Sequence, residues 1–154
     1  KRRYTYRWSH WWAHSLGIPL RYPAAHPFNP LHHLRLAIAC GSKPEAVRKI
    51  FDSIWTTGED ASDQGKFAAL RGDLGVTADA LAAPEVKQAL KKNTEAAAQA
   101  GVFGVPTIEV DGELFWGADS MEFLRAFLAD PATLRNAEMR RLDELPVAAA
   151  RRTS

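Results

Sequence analysis

The sequence predicts an α/β protein in which helices fill about the first 100 residues and a single β-hairpin with a following helix fills most of the rest. Through the first part, apolar residues recur at steps of three and four, which indicates amphipathic helices. Later, Thr107 to Val110 is β-branched and alternating, and Asp111-Gly112 follows as a strong hairpin signal. Because two strands do not form a lasting sheet alone, we expect that further strands are either missing from this chain or supplied by a partner.

The first predicted helix runs from Lys1 to Leu16 and stops at Gly17. Its aromatic and apolar residues form a stripe at helical spacing: Tyr4, Trp8, Trp11 or Trp12, and Leu16. We interpret this stripe as core or as an interface, with a ligand-stacking surface as the alternative. His10 and His14 stand one turn apart, but a third ligand is not evident, so we predict no metal site.

A connector rich in proline, residues 18–30, leads to the second helix. Asn29 is predicted to cap that helix, with Pro30 at its first position, and the helix ends at Cys40. We expect His32 and His33 to be a solvated pair and the Cys40 thiol to be buried and inert.

Further helices are predicted over residues 43–57, 64–70, 77–81 and 84–101. The hairpin then spans two strands, 107–110 and 114–116, and Val105-Pro106 opens the first of them. Gly117 breaks the second strand, and Asp119 or Ser120 is expected to cap a helix that continues to Leu128. A last helical piece is predicted over 132–145, followed by a frayed tail.

Composition excludes several classes of protein. A net charge of +2 is too small to indicate nucleic-acid binding. The single cysteine, Cys40, excludes an internal disulfide and a Cys-x-x-Cys redox motif, which argues against a disulfide oxidoreductase. No apolar run approaches the length of a membrane helix, and no signal peptide follows Lys1. We therefore expect a cytoplasmic protein without membrane association.

The string from Gly101 to Asp119, Gly-Val-Phe-Gly-Val-Pro-Thr, then Val-Asp-Gly-Glu and Phe-Trp-Gly-Ala-Asp, resembles the C-terminal half of the DsbA-like thioredoxin fold. Within that fold it is most similar to 2-hydroxychromene-2-carboxylate isomerases and kappa-class glutathione transferases. The resemblance implies a thioredoxin-like fold with a large all-helical insertion, and a cis bond between Val105 and Pro106.

In the resembling family about fifty residues, a strand, a helix and a strand, precede the point at which this chain begins. We expect this N-terminal βαβ portion to be missing from the chain, which makes the chain a fragment or a truncated form. The family's serine, which lies beside the glutathione sulfur, belongs to that portion and would also be missing, so no catalytic residue is assigned. The implied domains are a helical insertion (1–100), the C-terminal half of the thioredoxin-like domain (101–145) and a tail (146–154).

The resemblance also implies a glutathione site. Glutathione would pair with the backbone at Val105 and Pro106, as in strand addition, and place its γ-glutamyl end at Asp119 and Ser120. Asp119 would take the ammonium group. Family members often have arginine where Ser120 stands, and its loss removes a bidentate hold on a carboxylate. For Asp119 and Ser120, plain helix capping is the alternative.

Two further residues are carried over as substrate contacts: Lys1, which precedes the tyrosine of the first helix, and Asn29. The implied function is glutathione-dependent cis–trans isomerisation of a 2-hydroxychromene-2-carboxylate, a small aromatic substrate, with glutathione as cofactor and a homodimer as a further expectation. The alternatives are a kappa-like glutathione transferase and a truncated, non-catalytic thioredoxin-like binding protein.

Overall fold

The computed structural model describes residues 1–146, so the end of the predicted tail lies outside the described residues. The chain divides into two compact units, Lys1–Glu95 and Ala96–Ser154. We describe each unit by itself. Within the described residues, no helix is long and apolar enough to cross a membrane.

The first unit is helical, and its last helix continues beyond Glu95. The helices are α1 (Arg2–Ser15), α2 (Leu31–Ala39), α3 (Pro44–Trp55), α4 (Gln64–Asp73), α5 (Ala78–Ala82) and α6 (Pro84–Gln99). Local signals set several of their starts. Asp63 accepts a hydrogen bond from the Lys66 amide at 2.9 Å, and Thr77 accepts one from the Ala80 amide at 3.1 Å.

The core of the first unit forms where α2 packs on α3. Leu36, Ile50 and Ile54 are buried together, and half-buried aromatic residues, among them Phe28 and Phe67, pack around them. The apolar face of α3 therefore faces the core of the first unit.

The second unit contains the strands and the last helices. The strands are β1 (Thr107–Val110) and β2 (Glu113–Trp116), followed by a 3-10 turn (Ala118–Ser120), α7 (Met121–Ala129), a second 3-10 turn (Pro131–Thr133) and α8 (Ala137–Asp143). β1 and β2 are antiparallel, with Thr107 opposite Trp116 and Val110 opposite Glu113. Phe115, Leu124 and Phe127 form the core between hairpin and α7.

The turn between the strands has the conformation that its sequence predicts. Asp111 has φ +52° and Gly112 has φ +83°, so both central residues are left-handed, as a two-residue hairpin turn requires. The predicted α/β architecture and the hairpin are confirmed.

Some local expectations were wrong. α2 begins at Leu31 rather than at Pro30, although Asn29 does accept a hydrogen bond from the Leu31 amide at 3.0 Å. Ser120 is the N-cap residue of α7, as one of the two alternatives predicted, but it makes no capping hydrogen bond through its side chain. His33 is buried rather than solvated, because it faces the core side of α2.

Candidate functional site

The loop that precedes β1 leaves the backbone of Val105 free. The residue is 88% exposed. Neither its N–H nor its C=O takes part in a hydrogen bond with any of residues 1–146. The Val105–Pro106 bond is cis, as the resemblance implies. The Thr107 hydroxyl donates to the Gly104 carbonyl at 2.7 Å and closes the loop below Val105.

A hydrogen bond joins this loop to the turn before α7. The Gly117 amide donates to the Pro106 carbonyl at 2.9 Å. Two residues further on, the Asp119 carboxylate packs against Gly117 so closely that a Cβ on this glycine would lie 2.4 Å from Oδ1. Val105, Pro106, Asp119 and Gly117 are thus parts of one local arrangement.

Asp119 and Ser120 present different groups. Asp119 is exposed, and its carboxylate makes no hydrogen bond or salt bridge with the described residues. It can accept from an ammonium group. Ser120 is half-buried, and its hydroxyl donates to the Gly117 carbonyl at 2.8 Å. Since this hydroxyl is engaged, the amides that open α7 are the groups left to meet a carboxylate.

Aromatic side chains flank the same loop. They belong to the string that carries the resemblance, but neither was predicted as a site residue. The Trp116 indole covers Gly104, where a Cβ would lie 2.4 Å from Nε1. Phe103 packs against Trp116, with ring centroids 5.3 Å apart. Both rings are exposed. An extended peptide at Val105 would therefore find apolar surface beside the free backbone groups.

The other two predicted site residues, Lys1 and Asn29, lie in the first unit. Lys1 is exposed, and its carbonyl accepts a hydrogen bond from the Thr5 amide. Asn29 lines a small cavity of about 210 Å³ together with His33 and Phe67. No hydrogen bond joins Lys1 to Asn29 in the described chain, and their roles as substrate contacts stay predictions.

A second polar cluster in the first unit was missed. The Tyr6 hydroxyl lies 2.6 Å from Nδ1 of His26, and Arg2 donates to the His26 carbonyl at 2.8 Å. Tyr22 packs against Tyr6, and its hydroxyl lies 2.7 Å from the Ser9 hydroxyl. The cluster ties the proline-rich connector to α1. Its members are about twenty residues apart in the sequence, so no local sequence pattern predicts the cluster.

Two titratable groups in the first unit are shifted by burial. Burial, and then the nearby charge of His32, lowers the pKa of His33, whose Nδ1 has no hydrogen-bond partner among the described residues. Burial raises the pKa of the Cys40 thiol, with Lys43 opposing the effect. A raised pKa favours the protonated form of the half-buried Cys40 thiol, which is the less nucleophilic form.

A loop with a cis proline that opens a β-hairpin, followed by a helix on the same hairpin, is the arrangement of a thioredoxin-like protein. The family comparison agrees, since the model of the DSBA-like thioredoxin domain matches residues 6–129. The chain belongs to this family. Lys1 lies just before the matched span.

Two curated relatives share this sequence region. The chain is 33% identical over 124 residues to a 2-hydroxychromene-2-carboxylate isomerase of Sphingobium xenophagum, covering 77% of this chain and 64% of the relative. It is 32% identical over 97 residues to the human glutathione S-transferase kappa 1, covering 56% of this chain and 43% of the relative. The chain thus spans less than two thirds of the length of either relative.

A solved structure of a 2-hydroxychromene-2-carboxylate isomerase shares the fold. The two superpose with a TM-score of 0.65 at 22% identity, over 89% of this chain and 70% of the other. The DsbA-like thioredoxin fold is therefore shown by the family model and by the structural match alike.

Proposed function

We propose that this chain belongs to a glutathione-dependent cis–trans isomerase that acts on a 2-hydroxychromene-2-carboxylate or a closely similar aromatic compound. One observation carries the proposal: Val105 is an exposed residue whose backbone N–H and C=O are unpaired among the described residues, and a hydrogen bond from Gly117 to Pro106 connects its loop to the turn that holds Asp119. The greater shared length with the isomerase than with the transferase supports isomerisation over conjugation.

The arrangement suits a peptide with a charged amino-acid end. Val105 offers one donor and one acceptor, the pair with which an extended peptide adds to a strand. Asp119 supplies a free carboxylate for an ammonium group, and the α7 N-terminus favours the neighbouring carboxylate of the same end group. Glutathione carries all of these features in one molecule.

Bound glutathione would supply a thiol for reversible addition to a conjugated double bond. The task of this chain is then to orient that thiol, by holding the peptide on Val105 and its γ-glutamyl end on Asp119 and Ser120. Lys1 and Asn29 are proposed as contacts of the aromatic substrate. We assign no thiol-activating residue to the chain.

We further propose that the protein acts in the cytoplasm as a homodimer. We also propose that residues 1–100 act as the helical insertion and 101–145 as the C-terminal half of the thioredoxin-like domain. Reduced glutathione is available in the cytoplasm, and the single cysteine is compatible with a reducing compartment.

Calorimetric titration of glutathione into the 154-residue chain tests the binding step. We expect saturable binding that Asp119→Asn weakens about tenfold or more, which corresponds to one charge-assisted hydrogen bond of about 1.4 kcal/mol or more. Asp111→Asn is the matched control. Asp111, in the hairpin turn, is an exposed carboxylate like Asp119, and asparagine tolerates its left-handed φ. Equal loss in both variants, or no binding at all, would refute the site.

The reaction is tested separately by following the absorbance of a 2-hydroxychromene-2-carboxylate in the presence of glutathione. Isomerisation that requires glutathione supports the proposal. Conjugation of glutathione to 1-chloro-2,4-dinitrobenzene without isomerisation would contradict the isomerase and support the kappa-like transferase instead. Glutathione binding without either reaction would support the non-catalytic alternative for this chain.

A further inference from the structure

A cavity of about 270 Å³ in the first unit is lined by residues of α2, α3, α4 and the loop that joins α3 to α4. We call it the α4 cavity. Of its lining residues, His33 and Ile54 are buried, so they form its inner wall. Half-buried Phe67 lies beside His33, with ring centroids 5.2 Å apart. The α4 cavity shares His33 and Phe67 with the smaller cavity at Asn29, but neither Asn29 nor Lys1 lines it.

The inner wall of the α4 cavity holds a polar group without a partner. His33 is 8% exposed, and its Nδ1 atom makes no hydrogen bond with any described residue. Burial, and then the charge of His32, lowers the pKa of His33, so the ring is neutral near pH 7. With its proton on Nε2, the neutral ring offers Nδ1 as an acceptor. Because buried polar atoms are nearly always hydrogen-bonded, this atom favours a ligand that brings a donor.

The rim of the α4 cavity is negatively charged. Four carboxylates and one ammonium group line it, which gives a net charge of −3: Glu59, Asp60, Asp63 and Asp73 against Lys66. Lys66 pairs with Glu59 at 2.7 Å, and the other three carboxylates make no salt bridge with a described residue. Asp60 and Asp63 each accept a backbone amide hydrogen bond at Oδ1 and keep the second oxygen free within residues 1–146. This rim favours a cationic occupant.

The carboxylates of the rim do not converge on one point. No three His, Cys, Asp or Glu side chains of the described residues are placed to hold a metal ion. Separated carboxylates suit a ligand whose own positive charges are separated, such as an alkyl chain with an ammonium group at each end. An ammonium group has three donors, and the hydroxyls of Ser53 and Thr57 line the same cavity as His33.

We propose that the α4 cavity binds a small linear alkyl diamine, with one ammonium group on Nδ1 of His33 and the other on Asp60 and Asp63 at the rim. The apolar stem would lie against Ile54 and Phe67, and an aromatic face also attracts an ammonium group. The volume is just below the usual range for drug-sized ligands, about 300–1,000 Å³, which suits so small a molecule. The site goes beyond the proposed function, because it requires neither a thiol nor the loop that precedes β1.

The probe is 1,5-diaminopentane, titrated into the full chain at neutral pH and about 150 mM salt, and followed by calorimetry. Two analogues of the same length separate its features. 1-Aminopentane has one ammonium group, and 1,5-pentanediol has none. We expect saturable binding of the diamine, binding of the monoamine that is at least about tenfold weaker, and no saturable binding of the diol. A monoamine or a diol that binds as tightly as the diamine would overturn the proposal.

Variants of the rim locate the binding. The double variant with Asp60→Asn and Asp63→Asn should weaken the diamine about tenfold, since each exposed ion pair contributes a few-fold. Asparagine keeps the Oδ1 acceptor of both backbone hydrogen bonds, so only the charge is lost. The control is the double variant with Asp52→Asn and Asp79→Asn. It removes two exposed carboxylates that do not line the cavity, and it should leave binding unchanged. Equal losses in the two double variants would show only general charge attraction and overturn the proposal.

His33→Phe tests the inner wall. Phenylalanine keeps a ring of similar shape against Phe28 and Phe67 and removes the Nδ1 acceptor. We expect about tenfold weaker binding of the diamine, with a circular dichroism spectrum that matches the original chain. Unchanged binding would overturn the proposal. If this variant does not fold, the comparison of the two double variants decides the proposal alone.

A competition experiment distinguishes the diamine from a metal ion. Magnesium chloride in about tenfold excess, at constant ionic strength, should not displace the diamine, because the separated carboxylates do not form a metal site. Displacement by magnesium would assign the cavity to simple cations and overturn the proposal. Glutathione is titrated into the same sample as a separate measurement. Normal glutathione binding without diamine binding would refute this inference alone and leave the proposed function standing.

Discussion

The Gly117 amide donates a hydrogen bond to the Pro106 carbonyl at 2.9 Å, and through this bond the loop before β1 and the turn before α7 hold one another. Gly117 has φ +89° and ψ +156°, a conformation that is essentially restricted to glycine. The residue also leaves the space that the Asp119 carboxylate occupies. The proposed site thus depends on a backbone conformation as much as on side chains.

Gly117→Ala should therefore lower the free energy of unfolding by about 1–3 kcal/mol, because alanine is strained at this φ. The new Cβ should also displace the Asp119 carboxylate and weaken glutathione. Urea unfolding and calorimetry measure the two effects. The control is Gly72→Ala within α4, where φ is negative and a Cβ meets nothing, so stability should be unchanged or rise by up to about 1 kcal/mol. Equal stability of the Gly117 and Gly72 variants would contradict this account.

Thr107→Val removes the hydroxyl that closes the loop at Gly104 while it keeps the shape of the side chain. The lost hydrogen bond should cost about 0.5–1.5 kcal/mol of stability, measured by urea unfolding. Thr94→Val is the comparison, since the Thr94 hydroxyl is exposed and bonds only back to Leu90 in its own helix. We expect Thr94→Val to lower stability less than Thr107→Val does. A larger loss in Thr94→Val would show that the Thr107 hydroxyl is not what holds the loop closed.

Phe127→Ala should destabilise the second unit by about 3–5 kcal/mol, because Phe127 is 1% exposed and fills the core between the hairpin and α7. Its neighbour Leu128 is 61% exposed. Leu128→Ala should change stability by no more than about 0.5 kcal/mol. Thermal unfolding of the two variants, followed at one concentration, distinguishes them. Similar losses would mean that α7 is packed with another face inward.

The free energy of unfolding should decrease as the pH is lowered and His33 becomes protonated. Since burial lowers the pKa of His33 in the folded chain, the unfolded chain binds its proton first, below the usual value of about 6.5. The stability that the neutral His33 ring contributes is fully present above that pH. It is lost as the pH falls from about 6.5 towards the lowered pKa of the folded state. The urea midpoint, compared between pH 7.5 and 5.0, should drop less in His33→Gln than in the original chain.

The control for this effect is Ile54→Val, a core substitution that introduces no titrating group. It should cost about 0.5–1.5 kcal/mol at both pH values and keep the pH dependence of the original chain. A His33→Gln variant that keeps the full pH dependence would assign the effect to other groups.

Features set by neighbouring residues were predictable from the sequence. Asp111-Gly112 specifies its own turn, because few residues tolerate two successive positive φ angles, and the strands on either side follow from it. The string around Val105 carried the family resemblance, and with it the fold. Asn29 was correctly expected at the start of α2, although the helix begins one residue later than predicted.

Features set by tertiary contact were not predictable. The aromatic stripe of α1 was interpreted as core or interface, and periodicity does not say which face is covered. Tyr4 and Trp11 are exposed, so they are not part of the core of this unit. His33 is buried and packs against the rings of Phe28 and of Phe67 in α4, and nothing in His32-His33 itself predicts these contacts. The hydrogen bond between Tyr6 and His26 joins residues twenty positions apart and depends on the path of the connector.

The central claim is tested most directly by amide NMR of the chain during titration with glutathione. We expect the amide resonances of Val105 and Ser120 to shift together and to saturate, while those of Gly112 at the hairpin turn and Gly41 after α2 stay in place. Asp119→Asn should shift the same resonances at higher glutathione concentration. A titration in which Val105 does not move, or in which the changes lie only outside residues 103–120, would contradict the account.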